Sequence, residues 1–150
     1  MSTTATTTPD VTYGDVVHTP VHFDDLDAMG VLHNSRYAVL VERAVGKWWA
    51  ARGVTFTGGK PTSPDAFNVV REYGITFHVP VTRIGDIAVH FWLEKLGTTS
   101  ADYRFRVTSP DGTVIHADGR RVNVRLDPST MRPVPWTADA RATASPLLKP

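Results

Sequence analysis

Residues 35–52 read SRYAVLVERAVGKWWAAR and contain the strongest secondary-structure signal in the chain. Their apolar side chains recur three and four positions apart, which places them on one face of an α-helix. The members of this stripe are Tyr37, Leu40, Val41, Ala44, Val45, Trp48 and Trp49. Asn34 or Ser35 can supply the N-cap oxygen, and Gly53 stands where a left-handed residue commonly follows a helix. The pattern therefore predicts an amphipathic helix whose stripe packs against other structure.

Alternating apolar and polar residues predict five β-strands around this helix. One strand precedes the helix and four follow it, over residues 16–24, 67–80, 86–96, 99–108 and 113–126. The tripeptide Pro110-Asp111-Gly112 is a turn signal, so the last two strands should form a hairpin. Because the helix has one apolar face, we expect the strands to form a sheet against it. The predicted fold class is α+β, with one long helix wrapped by a curved five-stranded antiparallel sheet.

Two irregular segments and an uncovered second face of the sheet are expected in this domain. The apolar residues of the last strand change face along its length, and a β-bulge near Gly119 would account for the change. Residues 54–66 contain two glycines and two prolines and are predicted to form a loop. Several strands also carry bulky residues on their second face, such as Val70 and Trp92, which favours oligomerisation.

The two ends of the chain are expected to lie outside the main domain. Residues 1–11 are rich in Ser and Thr and are predicted to be disordered. Residues 127–150 hold five of the eleven prolines, so they are predicted to form neither a regular helix nor a central strand. We therefore divide the chain into an N-terminal tail, a domain over residues 12–136 and a Pro/Ala-rich tail over residues 137–150.

The composition limits the functions that the chain can have. Its 150 residues fit one domain, and 16 Lys+Arg against 15 Asp+Glu give a formal charge of +1. The basic residues are dispersed, which argues against a nucleic-acid surface. The lack of Cys excludes disulfides, thiolate metal sites and a Cys nucleophile. No apolar run is long enough for a membrane span, and the N-terminus has no secretory signal, so we expect a cytoplasmic protein.

Three carboxylates occupy the segment FDDLDAMGVLHN, residues 23–34, between the first strand and the helix. The free N–H groups of a helix's first turn can stabilise an oxyanion that develops on a carbonyl. A carboxylate beside them, from Asp24, Asp25 or Asp27, could attack that carbonyl or activate water. Asp residues before a helix more commonly serve as caps or turn residues. Spacing alone therefore leaves both roles open.

This segment and the helix together resemble the acyl-CoA thioesterases of the hot-dog fold, in the 4-hydroxybenzoyl-CoA thioesterase-like group. That group has an aromatic residue, an Asp-x-Asp-x-x-Gly motif and a helix with Tyr and an acidic residue. The matching residues here are Phe23, Asp25, Asp27, Gly30, Val31, Asn34, Tyr37, Glu42 and Arg43. The likeness extends over residues 16–136. It implies the hot-dog fold and hydrolysis of an acyl-CoA, or of an acyl thioester on a carrier protein, to the free acid and thiol.

The resemblance also implies roles for individual residues. Asp27 matches the family's catalytic carboxylate, which acts as nucleophile or general base on the thioester. The backbone N–H of Asn34 matches the donor that polarises the thioester carbonyl. The residues predicted to bind substrate are Gly30, His33, Tyr37, Thr99 and Ser100. Tyr37 would face the acyl pocket, and Thr99 and Ser100 would lie near the nucleotide end of coenzyme A. Since the family's site lies at a dimer interface, a homodimer or homotetramer is implied.

No metal or redox cofactor is expected, and coenzyme A enters only as part of the substrate. The six histidines show no His-Glu-x-x-His pattern or other metal-ligand spacing. Many relatives have Gly-His-Val-Asn-Asn where residues 30–34 read Gly-Val-Leu-His-Asn, so His33 is placed at the substrate site by its position alone, and a structural role beside the loop is favoured over a catalytic one. For Glu42, an ion pair or a contact with a strand is favoured over direct chemistry.

Two other functions stay open at this point. Enoyl-CoA hydratases and dehydratases of the same fold use an Asp/His pair, for which Asp27 and His33 are the candidates, although their spacing and flanking residues differ. A hot-dog domain can also bind an acyl-CoA without hydrolysing it. The carboxylate of Asp27 argues against such a binder, because a binding site gains nothing from an unpaired buried charge. The sequence does not choose the acyl group, or between coenzyme A and a carrier protein.

Overall fold

Five antiparallel strands form the main sheet of the computed structural model, which describes residues 8–150. They are β1 (Asp15–Val21), β4 (Asn68–Phe77), β5 (Gly85–Leu96), β6 (Ser100–Thr108) and β7 (Ile115–Arg125). Their order in the sheet is β1-β5-β6-β7-β4, so β1 and β4 are its two edges. All five predicted strands are present, and the predicted hairpin joins β6 to β7.

The helix α1 (Arg36–Ala50) has 15 residues and lies against the sheet. Six of its seven predicted stripe residues are buried, and the seventh, Trp49, packs against the same core. On the sheet side, the core includes the fully buried Phe91 and Phe105. Burial of each large apolar side chain contributes roughly 1.5–3 kcal/mol, so this stripe is the main attachment of α1. A hydrogen bond of 2.8 Å from Trp48 Nε1 to Asp15 Oδ2 also joins the helix to β1.

The structure has a second helix, so the prediction of a single helix followed by a proline-rich tail without helix is wrong. Helix α2 (Ala138–Ala144) lies in the segment that was predicted to form no regular helix. The prolines stand on either side of it, which leaves the Ala-rich sequence ADARATA free to form two turns. The Thr137 hydroxyl caps it by accepting the Ala140 N–H at 3.1 Å. Because Ala140 and Ala144 are buried, this segment packs on the domain.

The segment predicted as a loop over residues 54–66 contains a small hairpin. Its strands are β2 (Phe56–Thr57) and β3 (Lys60–Pro61). The two-residue turn between them is Gly58-Gly59, with φ angles of 59° and 77°. Hairpin turns of this length require positive φ at these positions, and glycine adopts it without a steric penalty.

The bulge predicted near Gly119 is wrong, and the irregularity lies three residues earlier. Val107 pairs with Ala117 and Thr108 pairs with Ile115, so His116 is the extra residue of β7. From Ala117 onwards the pairing of β7 with β6 is regular. Gly119 is therefore in continuous strand.

Gly119 is explained by close packing. A Cβ at this position would lie 2.1 Å from the backbone oxygen of Gly74 and 2.5 Å from Cζ of Phe105. No side chain fits at that spacing without movement of the sheet. The glycine thus allows β4 and the Phe105 ring to approach β7.

The two ends of the described chain differ. The prediction of disorder over residues 1–11 falls mainly on residues 1–7, which lie outside the described residues. Residues 8–11 form no regular secondary structure. Over residues 8–150, none of the helices has the length and apolar character needed to cross a membrane.

Candidate active site

The loop between β1 and α1 is a tight reversal that presents Asp27. The N–H of Asp27 donates to Val31 O at 2.8 Å, and the N–H of Gly30 donates to Asp27 O at 2.9 Å. Gly30 has a φ of 76°, a conformation that a side chain would oppose. The N–H of Leu32 donates to Val81 O at 2.8 Å and so holds the loop on the segment before β5. The Asp-x-x-Gly part of the motif is therefore a turn that fixes the position of Asp27.

One oxygen of the Asp27 carboxylate is held and the other is unpaired. Oδ1 accepts the backbone N–H groups of Met29 at 2.8 Å and Val31 at 3.3 Å. Oδ2 has no hydrogen-bond partner within residues 8–150. This arrangement fixes the carboxyl plane and leaves one oxygen available for chemistry.

The other two carboxylates of the segment have different surroundings. Asp25 is buried, and its Oδ2 accepts the His22 N–H at 2.8 Å. Its Oδ1 lies 3.7 Å from Nε of Arg36 in the first turn of α1. Asp24 is exposed to solvent. Asp25 therefore joins the loop to the helix, which leaves Asp27 as the candidate carboxylate for catalysis.

The start of α1 is capped by a histidine ring instead of the predicted Asn34 or Ser35 oxygen. Nδ1 of His33 lies 3.1 Å from the Ser35 nitrogen, whose N–H it accepts, and 2.8 Å from the Ser35 hydroxyl. The side chain of Ser35 makes no capping hydrogen bond. His33 thus satisfies one of the N–H groups that a helix start leaves without a partner.

The backbone N–H of Asn34 is the donor that this capping leaves unused. Within the described part of the chain, it donates no hydrogen bond. It lies two residues before the first residue of α1, beside the helix start, where the N–H groups and the helix dipole favour negative charge. Its position and its free donor fit the predicted contact to a carbonyl oxygen.

Asp27, His33, Asn34 and Tyr37 line one cleft of about 340 Å³. The opposite wall is residues 77–80, at the end of β4. The buried Tyr37 ring contacts Phe77 edge-on, with 5.0 Å between the ring centroids. Burial raises the pKa of the Tyr37 phenol, against the opposing effect of hydrogen bonding to the Val81 backbone. The structure therefore brings the predicted carboxylate and N–H donor together with an aromatic wall.

The wall at residues 77–80 is the part of the cleft that sequence reasoning missed. Phe77, His78 and Val79 reach the cleft because β4 pairs with β7 at the far edge of the sheet. This pairing joins segments far apart in sequence. No local pattern in the sequence signals it.

Thr99 and Ser100 do not reach this cleft within one protomer. Ser100 begins β6, whereas Val107, near the other end of β6, pairs with the part of β7 that lies beside Phe77. Seven residues of strand span about 23 Å, which separates Ser100 from the cleft. Their predicted contact with the nucleotide of coenzyme A stays a prediction.

Glu42 has the structural role that was favoured for it. Its Oε1 lies 3.1 Å from Nη2 of Arg121 on β7. Over residues 8–150, no group of three or more His, Asp or Glu side chains is arranged to hold a metal ion.

A sequence profile described as the thioesterase superfamily matches residues 29–116, more than half of the chain. No curated protein sequence matches the chain.

Solved structures share the architecture over almost their whole length. The PA5185 protein of Pseudomonas aeruginosa is 22% identical, with a TM-score of 0.80 and coverage of 91% of this chain and 93% of that chain. A Thermus thermophilus thioesterase complexed with coenzyme A and zinc is 23% identical, with a TM-score of 0.72 and coverage of 90% and 95%. A DHNA-CoA thioesterase of Staphylococcus aureus is 15% identical, with a TM-score of 0.69 and coverage of 87% of both chains.

Proposed function

This chain belongs to the thioesterase superfamily, and from that premise we propose that it hydrolyses an acyl-CoA to a free acid and coenzyme A. The hot-dog fold expected from the sequence agrees with the solved relatives. The observation that carries the proposal is that one cleft contains both an Asp27 oxygen without a hydrogen-bond partner and the free N–H of Asn34. A carboxylate and an oxyanion donor are the two groups that thioester hydrolysis needs.

In the proposed reaction, the thioester carbonyl oxygen accepts the Asn34 N–H at the start of α1. Negative charge that develops on this oxygen is stabilised by that donor and by the helix dipole. Asp27 Oδ2 then acts in one of two ways. As a base, it takes a proton from water, whose oxygen attacks the carbonyl carbon and displaces the thiolate, and the thiolate then receives that proton to leave as the thiol. As a nucleophile, it displaces the thiolate to form an anhydride, which water hydrolyses.

The thiol in this proposal is coenzyme A, with a carrier-protein thioester as the alternative. The Thermus thermophilus relative was solved with coenzyme A, which supports this choice. The formal charge of +1 and the dispersed basic residues provide no large basic surface for an acidic carrier protein. The proposed steps use only the protein's own groups and water.

The role of the Asn34 backbone can be separated from that of its side chain. Asn34→Ala keeps the N–H, so we expect turnover within a few-fold of wild type. Asn34→Pro removes the N–H, and we expect turnover to fall by about 100-fold, as for other oxyanion donors. Steady-state thiol release measures both variants, and circular dichroism checks the fold. A large loss in Asn34→Ala with an intact fold would contradict the backbone assignment.

We also propose that the protein is a homodimer or homotetramer that joins at the β4 edge. The edge strand β4 and the residues after it expose large apolar side chains. Examples are Val70 at 45%, Phe77 at 47% and Val79 at 49% of their surface. An unpaired edge with such side chains is an association surface. Since Phe77 and Val79 also line the cleft, a partner subunit at this edge would help to enclose it.

Sedimentation equilibrium tests this assembly. We expect the wild-type mass to be two or four times that of the 16.5 kDa chain. Val70→Lys places a charge in the apolar edge and should shift the mass towards the monomer. Leu148→Lys is the matched control, because Leu148 is similarly exposed at 39% but lies beside β5. A monomeric wild type, or equal dissociation by the two variants, would contradict the β4 interface.

A further inference from the structure

A second cavity lies on the other half of α1 from the cleft. Its volume is about 330 Å³, and it is enclosed by α1, the sheet, the segment leading into β2, and α2. It shares no lining residue with the cleft that contains Asp27. Glu42 on α1 stands at its polar side, and the Glu42 side chain is 64% exposed. This volume falls in the range of small-molecule sites, which is about 300–1,000 Å³.

Most of the cavity wall is apolar, and one helix position leaves space there. Trp49, Leu93 and Ala144 are among the lining residues. Gly46, in the middle of α1, also lines the cavity, and a Cβ built there would meet no atom within 4 Å. Glycine in a helix interior is less stable than Ala, because it loses more backbone freedom on folding. The missing side chain therefore leaves this part of the cavity wall open at a cost in helix stability.

The polar part of the wall has hydrogen-bond donors that the protein does not use. Arg121 is the charged example, with only 8% of its side chain exposed. Its Nε donates to Asn123 Oδ1 at 3.0 Å and its Nη2 to Glu42 Oε1 at 3.1 Å. Nη1 of Arg121 has no acceptor among residues 8–150. A buried guanidinium thus keeps unsatisfied donor capacity at the cavity.

Two aromatic residues of the wall add further unused donors. The Tyr103 hydroxyl accepts the Trp49 indole N–H at 2.8 Å, and no acceptor for its own proton lies in the described chain. Burial raises the pKa of Tyr103 to about 12, so this hydroxyl keeps its proton at neutral pH. The Trp136 indole nitrogen is buried and likewise finds no acceptor in residues 8–150. Each unsatisfied buried donor destabilises the empty cavity, so a ligand that accepts from it is favoured.

The buried acceptors of the wall are, in contrast, already engaged, while Glu42 at the exposed side of the wall pairs through Oε1 alone and its Oε2 has no partner among residues 8–150. The Asp65 carboxylate accepts the backbone N–H and hydroxyl of Thr137, and its Oδ1 lies 3.7 Å from Nε of Arg125. Oδ1 of Asn68 accepts the Asn123 amide at 2.7 Å. The buried part of the cavity therefore combines an apolar body with a surplus of donors, one of them the Arg121 guanidinium, which shares its charge with Glu42.

We propose that this cavity is a ligand site for a small carboxylic acid with an apolar body, in which the carboxylate accepts from Arg121. Charge-assisted hydrogen bonds from a guanidinium to a carboxylate are among the strongest in proteins. The cavity is about twice the volume of a 150 Å³ apolar cavity that holds benzene, so an aryl or medium-chain body fits. The inference is independent of hydrolysis at the Asp27 cleft.

Isothermal titration calorimetry with octanoate and octanamide tests the site. The two probes have the same chain and shape but differ in charge, so the comparison needs no change to the buried Arg121. We expect octanoate to bind at least about tenfold more tightly than octanamide, since the charged pair is the stronger one. Octanamide binding as tightly as octanoate, or no binding of octanoate, would overturn the assignment.

Variants at Gly46 and Asp27 then locate the bound acid. Gly46→Leu adds a bulky side chain at a position that lines the cavity and should abolish octanoate binding, whereas Gly46→Ala should keep it. Both replacements favour the helix, so thermal unfolding should show folded proteins. Asp27→Asn should leave octanoate binding unchanged. Binding that survives Gly46→Leu, or that is lost in Asp27→Asn, would overturn the proposed location.

Discussion

Asp27→Asn is expected to lower thioester turnover by about 10³-fold, within the range that proton-transfer or nucleophilic groups contribute. The amide keeps an oxygen that can accept the N–H groups of Met29 and Val31, so the loop should hold its shape. The amide cannot take a proton from water or attack a carbonyl. Thiol release from a panel of aromatic and aliphatic acyl-CoAs measures the loss and also ranks the acyl groups.

Asp24→Asn is the matched control for this experiment. It makes the same chemical change three residues away, at an exposed carboxylate. We expect its turnover to equal that of wild type. Turnover of Asp27→Asn close to wild type would remove Asp27 from the reaction.

The same assay separates the two alternative functions. If wild type releases no thiol but binds an acyl-CoA stoichiometrically, the protein is a binder. If it instead hydrates an enoyl-CoA, the hydratase alternative is correct.

Gly119→Ala is expected to destabilise the fold by on the order of 3 kcal/mol, the upper part of the range for overpacked cores. The new methyl group would meet a backbone oxygen of β4 and the buried Phe105 ring. The backbone cannot rotate away as a surface side chain can, so β4 would have to move from β7. Urea unfolding, followed by tryptophan fluorescence, gives the change in free energy of unfolding.

Gly74→Ala provides the control on the neighbouring strand. Gly74 pairs with Arg120, one position from Gly119, yet a Cβ at Gly74 meets nothing within 4 Å. We expect its free energy of unfolding to stay within about 0.5 kcal/mol of wild type, as for most exposed positions. Equal effects of the two substitutions would mean that the cost comes from loss of glycine itself and not from the contact at Gly119.

The helix and the strands could be predicted because their signals are local. The stripe from Tyr37 to Trp49 keeps a helical period for more than three turns, and it packs into the core as predicted. The C-terminal helix is not predicted when the five prolines of residues 127–150 are only counted, because the count says nothing about where they stand. Their positions leave the short stretch of α2 free of proline.

The bulge near Gly119 was wrongly predicted because the inner face of β7 has a glycine and two polar residues where apolar residues are usual. Gly119, Arg121 and Asn123 stand opposite the core residues Phe105, Tyr103 and Ala101 of β6, whereas Val122 and Val124 lie on the other face. If apolar residues are assumed to face the core, this change of face along β7 implies a bulge. It instead marks the polar wall of the cavity beside Glu42, where the usual burial rule does not hold.

For the candidate site, proximity could be predicted from the sequence for residues of one loop but not for residues of distant strands. Asp27 and Asn34 flank the same turn, so their proximity follows from the loop itself. The wall at Phe77 depends on which strand occupies the edge of the sheet, which no local pattern specifies. Thr99 and Ser100 were assigned by resemblance, and one protomer places them at the far end of β6.

The two N–H bonds to Asp27 Oδ1 have a consequence for the entropy of activation. They restrict rotation of the carboxyl group before any substrate arrives, so the loss of side-chain freedom occurs during folding. A reacting group that is already oriented removes an ordering step from the approach to the transition state. The rate should therefore depend on temperature mainly through enthalpy, and a substitution that loosens the Asp27–Gly30 turn should appear as a less favourable activation entropy.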